Sequence, residues 1–575
     1  MNKKFEMKES LDFAISDAER AIADKSVQMA LNAGASAVMV SLDKAKTEIY
    51  ALLDGEIDNI RQTGDRSLTF NIYADGKYGT FSTNRFEEDS LRDFLSKAVE
   101  TVRMLVADPF RGLPDRKDLA TDAVNGDEMG LCWYGYDSVS RDEKLEMARR
   151  VSVFGEFSAP SSDRNWRVVS EEVEYNNTLS DTYLTSSDGC RCRQTETSFE
   201  VSSQVTVEDN DGNKYSGLWW DYGVSPEKVL TSECGRKAVE MAVMQIAPVN
   251  ADKGKYTMVV SRLVSGRLLQ PVLNALSSLS VYQKSSFLVD ALGKQVFSKG
   301  LNVMDMPLEK GKTGAILFET DGRACKNREI ISDGVVKENF TSIYMSRKLG
   351  IPPTSSCPNR PVLLPFVSEE LLREERGGVS GGELGVERSG GHCGVSDSEL
   401  GGPGLGSVSG DGRSVELGEM SGAELGAVND GGRGVVNGSE RGVERGVVNG
   451  GGLGAVSGGW RGTELADGLG AERGLKANPF VNEIAQKDIL DLCGSGILVT
   501  DFNGGNCNSA TGDFSYGVSG FLFENGKITS PIDSMLITGN MTDLWSNLLA
   551  AGSDPVPGMS RQVPTLAFRD VTFNA

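Results

Sequence analysis

From Ile497 to Ile528 the chain reads ILVTDFNGGNCNSATGDFSYGVSGFLFENGKI. Two apolar runs, Ile497–Val499 and Val518–Phe523, bracket a segment dense in Gly, Asn, Ser, Thr and Asp. Gly505, Gly512, Gly517 and Gly520 can take positive φ or let other backbone come close. Asn508, Ser509, Thr511 and Asp513 are residue types that hydrogen-bond to nearby backbone and fix tight turns. Asn525-Gly526 then suits a type I′ hairpin turn. The stretch therefore reads as strand, elaborate turn, strand, hairpin, strand.

The rest of the chain carries the same grammar with helices added. Leu11–Ala33 has apolar residues at helical spacing, and Gly34 is a natural stop. Short alternating strands follow at 37–42, 48–53, 56–61, 66–73 and 77–82, with hairpin turns at Asp54-Gly55 and Asp75-Gly76. Helices are expected at 91–105 and at 141–158, the second after a Ser140 N-cap. Further strands are expected at 168–175, 181–185 and 195–207. Cys190 and Cys192 share one face of a strand without further ligands nearby, and read as ordinary strand thiols. A helix from Ser225-Pro226 to about Met244, a strand at 255–260 and a helix at 261–279 complete this half. Pro271 should kink that last helix.

One count restricts the chemistry. The 575 residues contain a single His, His392. It lies inside a stretch of 377–474 in which Gly recurs every fourth residue, for example Gly434, Gly438, Gly442, Gly446 and Gly450. In that register Val386, Ser398, Ser414, Asp430 and Ala466 stand instead, each with codons one base from a Gly codon. The pattern is that of a drifting twelve-nucleotide repeat. Gly disfavours helix, and the sparse apolar residues cannot offset chain entropy. The stretch is expected to be a disordered surface insertion. A chain joining Arg376 directly to Leu475 should melt within a few degrees of the full chain, because doubling a flexible loop costs only about 0.6 kcal/mol. Differential scanning of the two proteins checks this.

Outside that stretch no His remains, so Ser-His-Asp triads, Cys-His proteases and HExxH zinc sites are excluded together. A net charge of −22 without a basic patch argues against direct nucleic-acid binding. No run is apolar and long enough to span a membrane. The first residues, MNKKFEMKESLDF, lack the apolar centre of a signal peptide. Nine scattered Cys suit a reducing compartment. The expected location is the cytoplasm.

In this order of motifs the chain resembles the TldD/PmbA family. GGNxNxxTGDFSxGxxGFLxENGKI is similar to the carboxy-terminal signature of its PmbA (TldE) branch, from Asn503 and Gly505 through Asn508, Thr511, Gly512, Asp513 and Ser515. Phe318–Gly322 resembles a family turn, and Thr354–Arg360 (TSSCPNR) takes the place of another conserved loop. The resemblance implies that the TldD branch carries HExxxH at the helix after the 255–260 strand, with a Cys ligand in a later loop. Here the matching helix start reads SRLVSG, with Ser261, Arg262, Ser265 and Gly266 at the degenerate positions. The later loop, Gly552–Thr565, has no Cys.

The expected fold class is α+β, with amino-terminal helices on an antiparallel sheet, a β-rich carboxy-terminal domain and a low-complexity Gly-rich insertion. The expected domains are 1–235, then 236–376 with 475–575, interrupted by 377–474. The resemblance implies a non-catalytic subunit, with no cofactor of its own and zinc only in a TldD-type partner. Such a subunit would help enclose extended peptide, held through β-sheet edges. The 503–515 signature would shape the cleft or the subunit contact, or serve only as an internal turn. Two alternatives stand beside this. One is an independent hydrolase using carboxylates or Ser-Lys pairs such as Ser41/Lys44 and Ser225/Lys228. The other is a scaffold without a peptidase partner.

Overall fold

The computed structural model describes residues 10–372 and 484–574. The expectations placed on 377–474 lie outside the described residues.

The first half is built on one antiparallel sheet. Its strands are β1 (Ala37–Leu53), β2 (Glu56–Ala74), β3 (Lys77–Thr83), β4 (Trp166–Ser186), β5 (Arg191–Asp209) and β6 (Lys214–Gly223), in the order β3-β2-β1-β4-β5-β6. Several expected short strands merge: 37–42 and 48–53 are one strand, as are 56–61 and 66–73, and 168–175 and 181–185. The polar residues that suggested breaks pair across the sheet. The Thr47 and Thr178 hydroxyls lie 3.1 Å apart, and Thr182 donates to Asp43 at 2.8 Å. Period-2 alternation continues through them, so they belong to the sheet face turned away from the first two helices rather than to loops.

The covered face carries the core. Val38, Val40, Leu42, Leu68, Phe70 and Ile72 pack beneath α1 (Asp17–Asn32) and α2 (Glu88–Met104). Helix α1 starts six residues later than its periodicity suggests, because Ser16 and Glu19 form a capping box. Helix α3 (Arg141–Val151) begins at the Ser140 cap as expected, but stops early. The buried carboxylate of Glu171 accepts hydrogen bonds from the backbone N–H groups of Val153 and Phe154 at about 3 Å, leaving only a short α4 (Phe154–Phe157). The expected 225–244 helix is likewise two, α5 (Glu227–Leu230) and α6 (Cys234–Val243). Ser232 separates them by donating to buried Asp221 at 2.6 Å and accepting from the Cys234 N–H. Helix α6 packs on the first sheet with Ala238, Val239 and Ala242 against Val168, Val205 and Val207.

After β7 (Gly254–Val260) come α7 (Gly266–Ala275) and α8 (Ser278–Tyr282). A small sheet is made of β8 (Val303–Asp305), β9 (Arg328–Ser332), β10 (Val335–Val336) and β11 (Pro361–Leu363), with α9 (Ile343–Leu349) between its strands. Then come β12 (Phe366–Val367), α10 (Gln486–Cys493), β13 (Gly496–Cys507), β14 (Asp513–Glu524), β15 (Lys527–Asn540), α11 (Met541–Ser546), β16 (Leu548–Ala551) and β17 (Leu566–Asn574). Their sheet runs β12-β16-β17-β15-β14-β13-β7, and β17 also pairs with β7. Strands β7, β13, β14, β15 and β17 therefore close a ring. The expected stripe on α7, Leu268, Leu269, Val272 and Leu273, plugs the ring's core with Val260, Val499, Trp545 and Phe568. No helix among the described residues is long and apolar enough to cross a membrane.

Candidate functional site

The SRLVSG segment lies where β7 ends and α7 begins. Ser261 donates its N–H to Val499 at 2.9 Å, continuing the β7–β13 pairing by one residue. The chain then turns, with the Ser261 carbonyl accepting from Val264 and Ser265. Ser265 is fully buried, and its hydroxyl donates to the Val563 carbonyl at 3.1 Å. Arg262 donates to the Asp554 carbonyl at 3.3 Å. Asp554 itself accepts from the Thr565 N–H and hydroxyl, each at 2.9 Å. So the helix start and the 552–565 loop, both implicated by the resemblance, do meet, and hydrogen bonds bind them. Gly266 opens α7 with clear space where a Cβ would stand.

This donor set does not fit a zinc ion. Two hydroxyls, a guanidinium and a glycine replace thiolate and imidazole, and the buried hydroxyl is engaged with a carbonyl. Among the described residues no three His, Cys, Asp or Glu side chains are grouped to hold a metal.

The 503–515 signature lies on the β13–β14 hairpin. Asn508 accepts from Ala510 and Thr511, Thr511 donates to Asp513 at 2.7 Å, and Asn540 bridges the Thr511 carbonyl and Asp513. These bonds hold the Asp513 carboxyl below its usual range, the Asn540 bond foremost. Gly505 takes φ +95°, and a Cβ there would come within 2.0 Å of the Ser515 carbonyl. Only glycine allows the strands to approach so closely. Gly512 is buried against Phe287. Asn503 extends over the outer face, donating to the Ser519 and Ser534 hydroxyls. The strand edge beside it is joined to the helix start by Arg267, which donates to the Phe502 carbonyl. Sequence reading passed over Arg267, Asp554 and Asn540, because none belongs to a short motif.

The two other family-like motifs also converge. Asn359 of the TSSCPNR loop donates to Glu319 at 3.2 Å. The backbone N–H groups of Asn359 and Arg360 donate to the buried Asp305. Burial still pushes both carboxyls up. Cys190 and Cys192, expected as plain strand thiols, are fully buried with their sulfurs 3.6 Å apart.

A second feature was hidden in the alternation. Arg61, Ile49, Asn176, Glu200 and Tyr222 stand opposite one another across five strands, on the sheet face turned away from α1 and α2. Burial, reinforced by the charge of Glu174, pushes the Glu200 carboxyl up to about 7. Glu174 is raised too, by burial first, with Arg61 opposing and Glu172 adding. A carboxyl raised on folding stabilises most below its unfolded value and loses that contribution as pH rises toward 7. Glu200→Gln should therefore match the parent near pH 4 and exceed it by on the order of 1 kcal/mol at pH 8. Urea titrations at both pH values check the sign.

Residues 134–246 match the PmbA/TldA metallopeptidase central domain, and residues 253–366 and 475–575 match the C-terminal domain. The Escherichia coli O157:H7 metalloprotease PmbA is 23% identical, over 94% of this chain and 93% of that protein. A TldD homologue of Buchnera aphidicola is 22% identical over 38% of this chain and 47% of its own length. A solved structure from Bacteroides thetaiotaomicron, described as a candidate modulator of DNA gyrase, superposes with TM-score 0.73 at 25% identity, covering 98% of this chain and all of that one. TldE from Thermococcus kodakarensis gives 0.66 at 11% identity, covering 96% and 100%. The matched domains span more than half of the sequence and carry both the SRLVSG turn and the hairpin signature, and the chain belongs to the PmbA/TldD metallopeptidase family.

Proposed function

We propose that this chain is the non-catalytic, PmbA/TldE-type subunit of a TldD-type metallopeptidase and helps to enclose extended peptide. One observation carries the reading. Where the catalytic branch is expected to hold its metal, Ser265 and Arg262 instead tie the start of α7 to the 552–565 loop. Amide hydrolysis at neutral pH needs an activated water or nucleophile, and this joint supplies neither. Peptide contact has a natural place nearby. Strand β13 pairs with β7 only at Ile497–Val499, so its outer edge from Asp501 to Cys507 carries no strand among the described residues. Such an edge takes an extended chain through main-chain hydrogen bonds with little regard to sequence.

The purified full chain is expected to hold far less than one zinc per molecule by elemental analysis. About one tightly held zinc, kept after removal of 377–474, contradicts this. The functional test is digestion of an unfolded peptide by this chain, by a TldD-type partner and by the mixture. The mixture should cleave faster than the partner, and this chain alone should not cleave. A partner equally active with and without it leaves the scaffold reading.

The independent hydrolase retains one specific foothold, the adjacent raised carboxyls of Glu174 and Glu200. Turnover by this chain alone that survives a chelator and is lost in Glu200→Gln establishes that reading instead.

A further inference from the structure

Helix α1 turns one face toward the facing ends of β4 and β5. On it Asp17, Arg20, Ala21 and Asp24 stand three and four residues apart, as neighbours on a helical surface do. With Tyr183 of β4 and Arg191 of β5 they line a cleft of about 370 Å³. That is near the lower end of the roughly 300–1,000 Å³ of small-molecule sites. The short side chain of Ala21 takes up little of the space.

Two groups here are set in place without being satisfied. Asp24 is fixed through Oδ1, which accepts the hydroxyls of Tyr183 at 3.0 Å and Thr185 at 2.8 Å. Its Oδ2 lies 3.7 Å from Nη2 of Arg191, too long for a hydrogen bond. Arg20 commits Nη2 to Asp17, while its Nε is shut from solvent with no hydrogen-bond partner. A donor in that position calls for an acceptor.

The charges select the occupant. Two carboxylates and two guanidinium groups leave the cleft without net charge. A phosphate would be repelled by Asp17 and Asp24, and a simple amine by Arg20 and Arg191. A molecule carrying both an ammonium and a carboxylate meets each group with its opposite. Its ammonium can donate to the free oxygen of Asp24, and its carboxylate can accept from Arg20 and Arg191.

We infer that this cleft binds a small zwitterion, a free amino acid or an unblocked dipeptide, with its ammonium on Asp24 and its carboxylate on Arg20 and Arg191. This goes beyond the proposed subunit role and does not rest on it, since the β13 edge belongs to the other sheet.

The test is isothermal titration of the full chain with alanine and with alanylalanine. At least one should bind with a dissociation constant of about 1 mM or tighter, and the tighter of the two gives the length of the ligand. Its N-acetyl and C-amide forms should each bind about tenfold more weakly or worse, because each lacks one charge. Asp24→Asn and Arg191→Gln should each weaken the unblocked ligand about tenfold. In Asp24→Asn, N-acetylation should cost little further, because the group that read the ammonium is gone. Ala21→Leu fills the cleft from an exposed helical position and should abolish binding. Thermal melts confirm that each variant is folded, and Asp89→Asn on α2 should bind as the parent does. No binding of either ligand, blocked forms held as tightly as free ones, or binding indifferent to Asp24→Asn, Arg191→Gln and Ala21→Leu each overturns the inference.

Discussion

Replacing Asp181 with Ala lowers the unfolding free energy by about 3–5 kcal/mol, which urea denaturation measures directly. Asp181 is 1% exposed and serves four donors. It accepts the Ile15 N–H at 2.7 Å, Arg193 through two nitrogens at 3.1 and 2.6 Å, and the Thr195 hydroxyl at 3.0 Å. Removing the carboxylate leaves a largely buried guanidinium without its counter-charge, which costs more than the pair itself contributes. The entry to α1 should loosen with it, because Arg193 also donates to the Ile15 carbonyl. Asp181→Asn keeps the shape and some acceptors, and should fall between the two. An Ala variant within about 1 kcal/mol of the parent contradicts the account.

The second large effect is expected inside the hairpin signature. A Cβ on Gly520 would lie 1.9 Å from the Leu498 carbonyl oxygen and 3.0 Å from the Val499 Cα. Both obstacles are backbone, so no side chain can rotate away. Gly520→Val must push β13 off β14 in the middle of their pairing. A loss of about 3 kcal/mol is expected, with lower soluble yield. Gly517, three residues earlier in the same motif, meets nothing closer than the Asn503 Cβ at 3.7 Å. Gly517→Ala should be nearly neutral. Equal effects at the two glycines would show that flexibility, not close approach, explains both.

Local chemistry was legible wherever it is decided locally. Asp54, Asp75 and Asn525 all take φ near +50°, followed by glycines at positive φ, as the hairpin dipeptides require. The cap at Ser140 and the strand-turn-strand-hairpin order of 497–528 follow from residues within a few positions, whereas the capping box of Ser16 and Glu19, equally local, was overlooked in favour of the apolar spacing from Leu11. What stayed hidden is settled at long range. The break after α3 is made by Glu171, and the break before α6 by Asp221, neither within the helix it interrupts. The polar middle of β1 reads as a loop until β4 lies beside it. At the site, the segments could be named by resemblance. Their joining could not, because Arg262 and Asp554 are 292 residues apart. The raised carboxyl of Glu200 was hidden too, because it depends first on burial in the folded sheet and then on the charge of Glu174.

Strand β17 borders β15, β16 and β7, and so completes the carboxy-terminal ring. Its partner β7 lies about 300 residues earlier, so in chain synthesis the ring closes from both ends of a very long loop. Until then Met258, Val259 and Val260 wait on a half-paired strand, while the first sheet already has all six of its strands. A nascent chain should thus fold its first half on the ribosome and present β7 to chaperones until translation is nearly finished.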